Sequence, residues 1–179
     1  MLKLYKQTTS GLQYWEAWED EEKIVTHRGI LGETGVTVEI PLSVSEDAEL
    51  LIERESKPHS ANGFEEREPV AELVVQYKCE NWGSPEDLEK RHRVEDLMNE
   101  CLGWTGNGHC DGGDIGSGTI NIFSYVIDPE IAAKTTIECL REENLLEGAI
   151  IAIRENIEQE VEEYLVRWPE SFSGEFFPV

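Results

Sequence analysis

The chain has 179 residues, 39% of them hydrophobic and 30% charged, with 38 Asp and Glu against 15 Lys and Arg, a formal charge of −23. A surface that acidic repels phosphate backbones and anionic lipid heads and favours a basic protein partner, or it only solubilises the chain. No run of 18 apolar residues occurs, so no membrane-spanning helix is expected, and the N-terminus lacks the apolar core of a signal peptide, so a cytoplasmic location is the expectation.

Residues 1–40 read as short strands. Leu2 and Leu4 alternate with Lys3, and Thr8-Thr9-Ser10-Gly11 has a turn composition. Gln13–Trp18 is aromatic-rich and fits a strand. The four acids Glu19–Glu22 then suit an exposed hairpin tip before a further strand, Ile24–Arg28. Gly29, Gly32 and Gly35 punctuate a turn, and Val36, Val38 and Ile40 alternate as a half-buried strand that Pro41 ends. Ser45 reads as an N-cap. Ala48, Leu51 and Ile52 give a short amphipathic helix, which Ser56-Lys57-Pro58 should stop. The polar stretch His59–Pro69 carries the domain boundary, giving domains 1–67 and 68–179. The first holds 14 acids and 7 bases.

Tyr14-Trp15-Glu16, Lys23–Thr26, Arg28–Gly35 and, after a helix, Gly63-Phe64 follow one another at a recognisable spacing. This front part, about residues 1–66, resembles a WGR domain, a module of poly(ADP-ribose) polymerases and of many small bacterial proteins. The resemblance implies a small antiparallel sheet with one helix, and it makes Arg28 and Gly29 binding candidates. The signature Trp-Gly-Arg is replaced by Arg28-Gly29-Ile30. In the family the Trp and Arg positions help contact DNA ends. Phosphate contacts supply most non-specific DNA affinity, and an acidic domain without that arginine offers few. The likeness therefore speaks for the fold and against nucleic acid as the partner.

The second domain opens on the strand Val70–Cys79. Ser84-Pro85 starts a helix whose stripe is Val94, Leu97, Met98, Cys101 and Leu102. Within it Lys90–Arg93 is a basic turn, but adjacent helical residues spread around the axis and make no single patch. Gly103 reads as the helix end. Thr105–Asp114 reads as a polar strand, Ile115–Gly118 as a turn, and Thr119–Ile127 as a central strand. Asp128-Pro129-Glu130 starts a second helix carrying Ala133, Thr136, Ile137 and Leu140, and Asn144 closes it. Gly148–Ile153 is a buried strand. The tail Ile157–Trp168 fits either helix or strand, with Glu163–Trp168 suggesting an added edge strand. The predicted class is α+β: a small N-terminal sheet with one helix, then a split βαβ, or ferredoxin-like, sandwich.

His109, Cys110, Asp111 and Asp114 form the densest cluster of reactive side chains, set among glycines. Imidazole, thiolate and carboxylate are competent metal ligands, but the spacing matches no zinc pattern and lacks the acid at position 12 of a calcium loop. No Lys follows Gly118, which excludes a P-loop, and Gly-x-Ser-x-Gly is absent. His109 and Cys110 are strand neighbours and should point to opposite faces, against a Cys/His dyad. The four cysteines have no CxxC spacing and read as reduced thiols. No catalytic residue, metal or cofactor is assigned. The expectation is a non-enzymatic binding protein for a basic protein, of bacterial immunity or adaptor type. The alternatives are a nucleic-acid module through the front domain, or a metal or thiol enzyme at His109–Asp114. The oligomeric state stays open.

Overall fold

The computed structural model describes residues 1–155, 157 and 163–178. They form two compact units, one of Met1–Glu68 with Trp104–Gly106, the other of Pro69–Gly103 with Asn107–Val179.

The first unit holds β1 (Leu2–Thr8), β2 (Gly11–Asp20), β3 (Lys23–Ile30), β4 (Val36–Pro41) and α1 (Ala48–Ala61). The strands lie in chain order in one antiparallel sheet. Such a meander follows from two tight hairpins. Glu21 and Glu22 turn between the last β2–β3 pair, Asp20 and Lys23, and Glu21 adopts a positive φ of 55°. Period-2 alternation sends Leu4, Trp15 and Ala17 to one face, where they meet Phe64. The other face carries Tyr14, Glu16 and His27, and there Trp104–Gly106 supplies backbone partners. Gly32 N–H donates to Thr105 O at 2.9 Å, and Tyr5 Oη donates to Gly106 O at 3.0 Å.

Three expectations are corrected. The helix cap is Asp47, which accepts from the amides of Glu49 and Leu50. Ser45 is displaced because Ser43 and Glu46 already close a turn there, through Ser43 Oγ and the Glu46 carboxylate at 2.8 Å. Pro58 also fails to stop the helix, which runs on to Ala61 with Asn62 as its C-cap. The strand expected to be half-buried is instead open. Val36 and Val38 are 62% and 46% exposed, since β4 is an edge paired to β3 alone.

The second unit is α+β in the order β5 (Ala71–Lys78), α2 (Pro85–Gly103), β6 (Gly108–Gly116), β7 (Thr119–Val126), α3 (Pro129–Glu142), β8 (Ile150–Glu155), β9 (Leu165–Trp168). Its antiparallel sheet runs β6-β7-β5-β8-β9. The first four strands thus interleave as a split βαβ repeat, with β7 between β6 and β5 and β5 between β7 and β8. Ser84 and Asp87 exchange hydrogen bonds across the first turn of α2, at 2.9 and 3.2 Å. Asp128 caps α3 through the amide of Ile131, with proline in the first turn. The core lies between the sheet and these helices: Leu73, Val75, Ile122 and Ile153 against Val94, Met98, Leu102 and Leu140. At roughly 1.5–3 kcal/mol for each large apolar side chain buried, this face dominates the stability of the unit. The tail ends in an edge strand, Leu165–Trp168, paired to β8. Residues 156 and 158–162 of that ambiguous stretch lie outside the described residues. No helix among the described residues is long and apolar enough to cross a membrane.

Candidate functional site

β6 carries the cluster that the sequence singled out. Pairing with β7 sets His109 opposite Tyr125, Cys110 opposite Ser124 and Asp114 opposite Asn121, with a bulge between Cys110 and Gly112 that leaves Asp111 unpaired. Cys110 faces the helices and packs against the core. Its amide donates to Asn99 Oδ1 at 3.0 Å, and burial pushes its thiol pKa up. His109 and Asp111 are exposed, and the His109 ring stands 6.1 Å from that of Tyr125. Asp114 accepts from Asn121 Nδ2 at 2.8 Å. The partners of His109 and Asp114 are four residues apart on β7, which is about 13 Å along a strand. These four residues therefore do not converge. Among the described residues no three His, Cys, Asp or Glu side chains could jointly hold a metal ion.

Around them the basic turn of α2 is dispersed, as helical spacing requires. Lys90 Nζ sits 3.5 Å from the centre of the Tyr77 ring, and burial lowers its pKa. Arg91 pairs with Glu95 at 3.2 Å and Arg93 with Glu143 at 3.0 Å.

Arg28 and Gly29 stand elsewhere, in the wall of a cleft within the first unit. The cleft has a volume of about 540 Å³ and is bounded by β2, the β3–β4 turn and the end of α1, with Trp15, Arg28, Glu33, His59, Asn62 and Phe64 among its lining residues. Trp15 stacks on His59 with ring centres 4.7 Å apart and planes at 24°. Phe64 meets the same imidazole edge-on at 5.4 Å. Burial, and then the Arg28 charge, hold His59 below the usual histidine pKa, against the opposing pull of Glu55. No family model, curated protein or solved structure matches the chain.

Beneath the cleft lies a polar chain that the sequence reading passed over. Lys3 Nζ bonds Glu16 Oε2 at 3.0 Å. Glu16 Oε1 bonds His27 Nδ1 at 2.8 Å, and His27 Nε2 bonds Tyr14 Oη at 3.1 Å. All but Lys3 are buried. A carboxylate inside the aromatic run Tyr14–Trp18 was the available signal, since an ionised group is not buried without a partner. Two further polar pairs lie on the face of the larger sheet away from its helices. Gln76 Nε2 donates to Asn121 Oδ1 at 2.8 Å, and Tyr164 Oη donates to Glu72 Oε2 at 2.5 Å. Here the signal was Glu72 and Gln76, two polar residues four apart in an apolar strand.

Proposed function

We propose that this chain is a non-catalytic binding protein for a basic protein, in the manner of a bacterial immunity or adaptor protein. The observation that carries this reading is the distribution of its excess acid. Glu19, Asp20, Glu21 and Glu22 all stand exposed at the β2–β3 tip, in a chain of formal charge −23. Clustered charge of one sign raises the encounter rate with an oppositely charged surface and disfavours wrong partners by repulsion. The divergence of His109, Cys110 and Asp114 leaves this reading without a competing reactive centre at β6. The experiment is capture from lysate at low salt with identification by mass spectrometry. A basic protein retained at low salt and released at high salt supports the reading, and recovery of no basic protein counts against it.

A second reading keeps the WGR-like front unit as a nucleic-acid module. What favours it is Arg28, exposed on the cleft wall and without a carboxylate partner among the described residues. A mobility-shift assay with nicked and blunt DNA tests it, and no shift at about 50 mM salt, where phosphate contacts are strongest, ends it.

A further inference from the structure

In a chain with 38 carboxylates, Arg28 pairs with none among the described residues. Its guanidinium charge is nevertheless felt by His59, which lines the same cleft. His59 is itself incomplete. Its ring is held between Trp15 and Phe64, and its nitrogens have no hydrogen-bond partner among the described residues. Two sets of polar N–H donors thus line one cleft of about 540 Å³, within the range of small-molecule sites. The side-chain amides of Gln13 and Asn62 stand beside them, and Ile30, Val36 and Phe64 provide apolar wall.

We infer that this cleft binds a small organic monocarboxylate with an aromatic or apolar body. The carboxylate takes the Arg28 guanidinium, whose planar fork matches two oxygens at once. The imidazole N–H of His59 is the second donor, and the body of the ligand lies against the apolar wall. Glu33 lines the same cleft, and residues 1–67 carry 14 acids against 7 bases. A second negative charge on the ligand is repelled by both, so a monocarboxylate is preferred to a phosphate monoester. Lys6, bonded to Asn62 Oδ1 at 3.2 Å, already has its partner.

Binding is linked to a proton. Arg28 disfavours protonation of His59, and Glu55 favours it. A bound carboxylate neutralises the first effect and adds a direct acceptor, so the pKa of His59 rises on binding. Affinity then strengthens as pH falls through the histidine range.

The test uses the full chain, phenylacetate as probe, and NMR titration of the histidine ring signals. Phenylacetate is expected to bind saturably and to raise the His59 pKa. Phenyl phosphate is expected to bind more weakly and 2-phenylethanol not to bind. Arg28→Gln, at an exposed position, is expected to keep the fold, to raise the His59 pKa in the free protein, and to weaken phenylacetate by at least about tenfold. The inference is overturned if no saturable change appears up to about 10 mM probe, roughly tenfold above a Kd of about 1 mM. It is equally overturned if Arg28→Gln leaves the affinity unchanged or if phenyl phosphate binds as well as phenylacetate.

Discussion

His27 Nδ1 lies 2.8 Å from Glu16 Oε1 inside the first unit. A carboxylate only accepts, so Nδ1 carries a proton and donates it to Glu16, and Nε2 stands 3.1 Å from Tyr14 Oη. Lys3 bonds the other carboxylate oxygen, so Glu16 joins two groups. Glu16→Ala strands both and is expected to cost about 3–5 kcal/mol, the range for leaving one member of a buried ion pair unpaired. Urea unfolding followed by tryptophan fluorescence measures it. Tyr14→Phe, which removes one hydroxyl, is expected to cost about 1 kcal/mol.

Two glycines are fixed by that same chain of side chains. A Cβ on Gly35 would fall within van der Waals contact of Tyr14 Oη, His27 Nε2 and the Arg28 carbonyl. One on Gly106 would strike the Tyr14 ring, at a backbone φ of +73°. Gly35→Ala and Gly106→Ala are each expected to lose about 1–3 kcal/mol. Gly63→Ala, where the added methyl meets nothing but φ is +84°, separates backbone strain from collision and is expected to lose less. Thermal melts of the three variants give the comparison.

The pKa of His59 in the folded chain lies below its ordinary value of 6.5. The unfolded chain therefore takes up a proton that the folded chain refuses. The stability tied to His59 is fully present above about pH 6.5 and is lost as pH falls below it, until the folded histidine also protonates. Denaturant midpoints measured across pH 5–8 are expected to fall on the acid side. His59→Gln is expected to flatten that part of the profile.

The thiols should react in a defined order. The bond to Cys139 and then burial push the Cys101 thiol pKa up, and Cys101 lies in the core. Burial also raises Cys79 and Cys110. Cys139 is half-buried and accepts from Cys101, which favours its thiolate. Timed alkylation with iodoacetamide, read by peptide mass mapping, is expected to label Cys139 first and Cys101 last.

Much of the fold was legible because it rests on local signals. The hairpin acids Glu19–Glu22, the Asp128-Pro129 helix start and the apolar stripe from Val94 to Leu102 each act within a few residues. The helix cap was misread because Ser45 and Asp47 have equal local claims, and only the Ser43–Glu46 turn decides between them. The exposure of Val36 and Val38 was invisible for a different reason. Alternation reports which residues share a face and says nothing of whether anything covers that face at a sheet edge. The His109–Asp114 cluster looked dense along the chain, yet a strand sends neighbours apart. Glu16, His27 and Tyr14 looked unrelated along the chain, and antiparallel pairing of β2 with β3 joins them.

Capture from lysate at about 50 mM and again at about 500 mM salt, a span over which the screening length shortens to a few ångströms, tests most directly whether the acidic surface grips a basic protein. The expected result is stoichiometric recovery of a basic protein at low salt, its loss at high salt, and reduced recovery with Glu19, Asp20, Glu21 and Glu22 changed to their amides. Recovery of no protein, or of one whose retention ignores both salt and those four substitutions, would contradict it.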